Sequence, residues 1–343
     1  MLFPGAGQGA AFTGEDEAAR QNVTLRWPVT FEATYVVFVS MAIGKLRAFP
    51  VLCIAALNQA CETFHYCEPA SSSQVDAAPD WLSETGLFTD VAARTLASGV
   101  LPFRPAFELW SDGASKQRWV YLPEGETIDT HDMDDWRFPV GTKLWKEFAF
   151  DGPIETRLIE RLADGSWRFA TYLWLADGRD AELAPEAGLR TYPVSSAPNG
   201  RYTILSRNDC RACHEGPAVP VLGYSAVQLE SAPLPPALGY LHANCGHCHN
   251  PSGAVAGVDL VLAQSAADPR ASAEATRASL FERASRFRST ESGAARRDHV
   301  IVERMHSTNP YTRMPPIGVQ VVDREGVALV EAWIRQTSEE IPR

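Results

Sequence analysis

No stretch of 18 apolar residues occurs in this 343-residue chain, so the sequence disfavours a helix that spans a membrane. There is no surplus of positive charge either. Lys and Arg number 31 against 42 Asp and Glu, a formal net charge of −11. No basic run or basic-aromatic stripe offsets it, which argues against nucleic acid as a partner. Gly-x-Ser-x-Gly elbows, phosphate loops and dinucleotide fingerprints are missing, which removes the most recognisable signatures of hydrolase, nucleotide-hydrolysing and dehydrogenase chemistry. Soft and titratable ligand residues are scarce: 7 Cys, 8 His and 5 Met. That scarcity makes their arrangement informative. The remaining balance, 45% hydrophobic and 21% charged, is that of a globular protein with room for two domains.

Four cysteines and two histidines form the same pentapeptide twice, Cys210-Arg-Ala-Cys213-His214 and Cys245-Gly-His-Cys248-His249. Cys-x-x-Cys-His is the attachment pattern of c-type haem. Two thiols on one side of a helical turn add across the haem vinyl groups, and the adjacent imidazole becomes the proximal iron ligand. At this composition about 0.003 such strings are expected by chance, so the pair points to two covalently bound haem c groups. Two Cys-x-x-Cys pairs also occur in structural zinc sites. Here, however, the 31 residues between Cys213 and Cys245 exceed the usual zinc-ribbon gap, and zinc needs no His after each second Cys. A thioredoxin-like redox pair belongs at a strand-to-helix junction of a βαβ unit, and nothing before Cys210 or Cys245 reads that way.

The first 80 residues are the least orderly. Met41-Ala-Ile-Gly-Lys45-Leu-Arg47 gives a basic start and Ala48 to Leu57 a mostly apolar run, so residues 41–61 resemble a secretory signal. On this reading Met41 is the true start, residues 1–40 are a non-native extension, and the mature protein is periplasmic or otherwise extracytoplasmic. Cys61 is a candidate lipid-attachment cysteine and hence a candidate membrane anchor, although Asn58-Gln59-Ala60 is a poor lipobox. Failing that, Cys61 and Cys67 are leader or linker thiols. Residues 62–80 read as a linker, of which 68–80 is a disordered tether.

The fold class expected is multidomain α+β: a β-rich antiparallel domain, sandwich or barrel-like, over 81–207, then an all-α cytochrome c region over 208–343. Short alternating runs at Arg118–Leu122, Lys143–Phe150, Ile154–Arg161 and Ser166–Trp174 read as strands, separated by Asp151-Gly152 and Asp164-Gly165 turns. In the second run Leu144, Phe148 and Phe150 share a face on which Lys146 is the single polar interruption. Asp129, Asp132, Asp134 and Asp135 crowd His131 and Met133, but their spacing is not an EF-hand loop and a solvated turn is the simpler account.

Pro235 to His249 has helical spacing and ends in the second motif, with a break at Pro251-Ser-Gly253. Thr312-Arg313-Met314-Pro315-Pro316-Ile317-Gly318 presents a methionine on a proline-stiffened loop. A closing helix follows from about Asp323, which is a fair N-cap. Met314 is the expected axial ligand opposite His249, with Met305 as its competitor. The first haem has too little chain of its own and must borrow cover from the β-rich region and residues 219–241. His242 is a candidate sixth ligand for it, ahead of Met133 and His131; His247 reads as a spacer.

The chain also resembles a group of bacterial dihaem c-type cytochromes of largely uncharacterised role. The likeness spans about residues 82–343. It rests on Leu101-Pro-Phe-Arg-Pro-Ala-Phe-Glu-Leu-Trp-Ser-Asp-Gly113, Phe138-Pro-Val-Gly-Thr-Lys-Leu-Trp-Lys-Glu-Phe148, Ala170-Thr-Tyr-Leu-Trp174, Ser206 through His214, Val221 through Leu229 and Tyr240 through Pro251. The resemblance implies an exported dihaem protein with a β-rich front half, His214 and His249 as proximal ligands and Met314 as a distal one. The expected function is haem-mediated electron transfer between exported redox partner proteins, with an acidic surface suited to a basic partner. Two other functions compete with it. One is a peroxidase-type dihaem enzyme with an open position on haem one, and the other is a sensory or ligand-binding module.

Overall fold

A computed structural model describes residues 77–215, 217, 220–229, 234–282, 285 and 299–340. The expectations for residues 1–61, for Cys61 and Cys67, and for most of the linker lie outside the described residues. Among the described residues no helix is long and apolar enough to cross a membrane.

The described residues form one unit of α+β type. Strands β1 (Phe88–Asp90) and β2 (Thr95–Leu96) make a small hairpin. Strands β3 (Val100–Pro102), β4 (Ser115–Tyr121), β5 (Lys143–Ala149), β6 (Pro153–Arg161), β7 (Trp167–Trp174) and β8 (Ala181–Leu183) form a six-stranded antiparallel meander in sequence order. The expected sandwich or barrel is corrected here. This is one open sheet, and β3 and β8 do not pair to close it. Two of its turns are those the Asp-Gly pairs predict. Phe150 N–H donates to Gly152 O at 3.1 Å, and Leu162 N–H to Ser166 O at 2.9 Å.

Alternation divides the sheet into two unlike faces. On one face Trp119, Trp145, Leu158 and Ala170 are cross-strand neighbours. With Leu82, Leu87, Tyr172 and Trp174 they form the main core. Burying each large apolar side chain there stabilises the fold by about 1.5–3 kcal/mol. On the other face Arg118, Lys146 and Arg157 are cross-strand neighbours, next to the row Val120, Leu144, Ile159 and Phe169. That second face turns toward the helical part.

A hairpin of β9 (Leu189–Pro193) and β10 (Arg201–Ile204) leads directly into helix α1 (Arg207–His214). Ser206 starts α1 with a capping box: its hydroxyl accepts from Asp209 N–H at 3.1 Å, and Asp209 accepts from Ser206 N–H at 3.0 Å. Short helices α2 (Ala226–Leu229) and α3 (Pro236–Leu241) follow, then α4 (Pro269–Phe281), α5 (Val300–His306) and α6 (Arg324–Glu340). Asp323 caps α6 by accepting from Gly326 N–H at 2.9 Å, as its sequence position predicts. Helices α3 and α6 meet where Gly326 lies against Tyr240. A Cβ at Gly326 would fall 2.3 Å from that ring, so only glycine permits the approach. Leu238, Leu241, Met305, Val327, Val330 and Ile334 form the core between these helices.

The loop between β3 and β4 straps the sheet to the helices. Phe107 N–H donates to Gln228 Oε1 (2.9 Å), and Trp110 N–H to Asn244 Oδ1 (2.7 Å). Asp112 Oδ1 accepts from both Gln320 and Val321 N–H at 2.8 and 2.9 Å.

Candidate functional site

The first pentapeptide occupies the second half of α1, which lies on β7. His214 stacks near Phe169 of that strand, with ring centroids 5.2 Å apart. Its Nδ1 is 2.5 Å from the carbonyl oxygen of Pro220. A carbonyl can only accept, so Nδ1 carries the proton and Nε2 keeps its lone pair free. Burial drives the imidazole pKa down to about 4, which keeps the ring neutral at pH 7. A neutral imidazole with one nitrogen tied to a carbonyl is the usual form of a metal-ligating histidine.

Beside α1 lies a cleft that opens to solvent; its envelope, solvent-connected space included, is about 1340 Å³. Cys210, Cys213 and His214 line one side. Leu144, Lys146, Arg157, Ile159 and Phe169 of the sheet line another. Phe107 and Trp110 of the strap, Val221 and Leu222 before α2, and Pro315 and Ile317 to Val319 after Met314 complete it. The sheet and the segment between the motifs therefore do flank the first motif. Burial raises the Cys210 thiol above its ordinary range.

The second pentapeptide lies at the end of a helical run, as the spacing predicts, but the winding changes along it: α3 ends at Leu241 and a π-turn carries the chain on over His242–Gly246. The widened turn seats Gly246 against the backbone of Ala263, where a Cβ would come within 2.9 Å of its Cα. His249 N–H donates to Cys245 O (2.9 Å), and its own carbonyl accepts from Leu262 N–H (2.8 Å). Asn250 Nδ2 donates to Gly246 O at 2.9 Å, and Gly253 packs so closely that a Cβ would sit 2.1 Å from Cys248 O. Cys245 packs against the helical core, and burial pushes its thiol up to about 12. His249 Nδ1 is buried with no hydrogen-bond partner among the described residues.

The two motifs meet. Ligand atoms of Cys213, His247 and Cys248 all lie within 4.8 Å of one another, the one group of at least three such side chains among the described residues. The hydrogen bond from the Cys213 thiol, together with His247, holds Cys248 below the ordinary thiol range. Cys213, which keeps the shared proton, is raised. His247, a spacer by sequence, lines the cavity as well. Nothing local in the sequence signals this, because Cys213, which completes the group, comes from the other motif.

Met314 is half-buried and anchored by its N–H to Arg304 O at 2.9 Å. It shares a second cavity of about 340 Å³ with Met305, Trp110, Tyr240 and Arg313. Cys245, Cys248 and His249 line neither of these two cavities. His242 Nδ1 accepts from Gln264 N–H at 3.0 Å, which puts its proton on Nε2 and gives the ring a packing role. His131 and Met133 are exposed on the acidic turn and line neither cavity. Asp134 of that turn accepts from Ala266 N–H at 2.7 Å, so this carboxylate ties the sheet's loop to the helical part.

No family model, curated protein or solved structure matches this chain.

Proposed function

We propose that the protein is a dihaem c-type cytochrome that passes electrons between exported partner proteins. The observation that carries this reading is His214. It directly follows Cys210 and Cys213 in their motif, its Nδ1 is committed to Pro220, and its Nε2 is free beside a large, largely apolar cavity. Thioether bonds to Cys210 and Cys213, with His214 as proximal ligand, fit what surrounds the first motif. At the second motif the donor set Cys245, Cys248 and His249 has the right chemistry, although among the described residues His249 Nδ1 lacks the hydrogen bond that orients His214. Around Cys245 the described residues are closely packed, so the second haem rests on the motif itself.

The helical region is read as a cytochrome c fold. Its order is a motif helix, a methionine loop and a closing helix that crosses α3 at Gly326. Met314 is the residue of the helical region that would supply a thioether to a haem at the second motif, where it would favour the ferrous state and raise the reduction potential. When bound, the haems supply one-electron exchange. The chain positions their ligands.

A second reading is favoured by the cluster of Cys213, His247 and Cys248, which has the soft ligands of a zinc site. Maturation in an exporting host competent for c-type haem attachment decides between the two. The expected product is red, gains the mass of two haems, loses one with Cys210→Ala/Cys213→Ala and the other with Cys245→Ala/Cys248→Ala. A colourless chain that carries zinc would establish the second reading. A high-spin haem signal with peroxide turnover would make the protein an enzyme rather than a carrier.

A further inference from the structure

Lys146 is the one polar side chain on an apolar strand face, and the fold gives it company of its own kind. Arg118 on β4 and Arg157 on β6 are its direct cross-strand neighbours, so three basic side chains form a row across three adjacent strands, and burial with the two guanidiniums holds Lys146 well below the ordinary lysine range. All three line the cavity that Cys210, Cys213 and His214 also line. Like charges side by side on a sheet repel one another, and burial in an apolar cavity adds a desolvation cost.

The carboxylates nearby offset the row only in part, and among the described residues they leave Lys146 without a partner. Glu155 is fully buried and paired with Arg157, and it also accepts from Tyr202 Oη at 3.0 Å. Glu108 approaches Arg118 at 3.9 Å but is shared with Arg104 (3.2 Å) and Lys116 (3.9 Å). Asp209, also on the cavity, caps α1 and lies 3.7 Å from Arg190. Lys146 has no carboxylate within ion-pair distance among the described residues; its ammonium lies 4.8 Å from the Phe148 ring. Arg157 Nε is buried without an acceptor. Buried donors of this kind call for an acceptor.

We propose that Arg118, Lys146 and Arg157 form a carboxylate-binding row, and that its ligands are the propionates of the haem attached at Cys210 and Cys213. This rests on the dihaem reading above. The cavity offers thiols on the α1 side and cations on the sheet side, and a c-type haem presents thioether carbons and carboxylates on different edges. Guanidinium and ammonium groups in a site of low polarity bind carboxylates through charge-assisted hydrogen bonds. A free small carboxylate has the same chemistry and is the competing source.

The test uses matured holoprotein. Lys146→Met removes the unpaired ammonium at nearly constant volume, and Lys146→Arg restores the charge. With propionates as ligands, Lys146→Met lowers one of the two midpoint potentials and shifts the propionate bands in the resonance Raman spectrum. Lys146→Arg returns both toward the wild type, and succinate shows no binding by calorimetry. Succinate binding to wild-type holoprotein that disappears in Lys146→Met overturns the propionate assignment in favour of a free ligand. Unchanged potentials and Raman bands with both haems attached overturn the proposal while leaving the dihaem reading intact. Absence of haem mass at Cys210 and Cys213 sinks both together.

Discussion

The sulfurs of Cys213 and Cys248, which belong to different pentapeptides, lie within 4.8 Å of each other with His247 beside them. Each pentapeptide is local in sequence, but their junction is made by the fold. Haem-free protein treated with a two-electron thiol oxidant is therefore expected to form a Cys213–Cys248 disulfide. Non-reducing peptide mapping reads it directly. Cross-links confined to Cys210–Cys213 and Cys245–Cys248 would contradict the packing of the two motifs, and matured protein should form none.

His242 makes the fold sensitive to acid. Burial first, then repulsion from His247, lowers its pKa from 6.5 to about 4, although Asp134 opposes this. As pH falls below 6.5 the unfolded chain takes up the proton while the folded chain does not, so stability drops between pH 6.5 and 4 and is flat above. His242→Asn keeps an acceptor for Gln264 N–H and removes the titration. Its loss of stability between pH 7 and 4.5 should be smaller than the wild type's by about 2 kcal/mol. Parallel acid-unfolding curves for the two proteins would refute this.

Asp112 occupies the left-handed region at φ 55° and holds the backbone of Gln320 and Val321 through one oxygen. Asp112→Ala leaves two N–H groups unmet, at roughly 1–3 kcal/mol each, and places a residue with a Cβ and no local hydrogen bond in an unfavourable conformation. Asn keeps the acceptor and tolerates that φ. Urea midpoints should therefore fall for Ala and stay close to wild type for Asn. Equal losses would mean the charge, not the acceptor, matters.

Gly239 of α3 faces the strap so closely that a Cβ would fall 2.0 Å from the Phe107 ring. Gly239→Ala should destabilise by about 1–3 kcal/mol through overpacking. Shrinking the ring in a Gly239→Ala/Phe107→Leu double variant should recover part of it. Thermal melting of the four proteins in this cycle measures the coupling, and simple additivity would show that the contact is slack.

Much of this was legible locally. Alternation and Asp-Gly turns locate β5 to β7 to within a residue and β4 to within three, and Asp323 marks the start of α6. What escaped depends on contacts far apart in the chain. Whether a meander closes is decided by its edge strands, not by any one strand's pattern, so an open sheet and a barrel read alike. The π-turn at His242–Gly246 answers to Ala263, and the position of His247 answers to Cys213. Lys146 stood out as an anomaly on an apolar face, yet its neighbours Arg118 and Arg157 appear only once the register is known.

The strap between β3 and β4 has a consequence for dissection of the chain. Its hydrogen bonds from Phe107, Trp110 and Asp112 reach Gln228, Asn244, Gln320 and Val321, so much of the scaffold around both pentapeptides is held in place from residues preceding either one. Severed near residue 207, the helical fragment would lose the sheet wall of its larger cavity together with these tethers. The two halves should accordingly melt in a single transition rather than as independent modules.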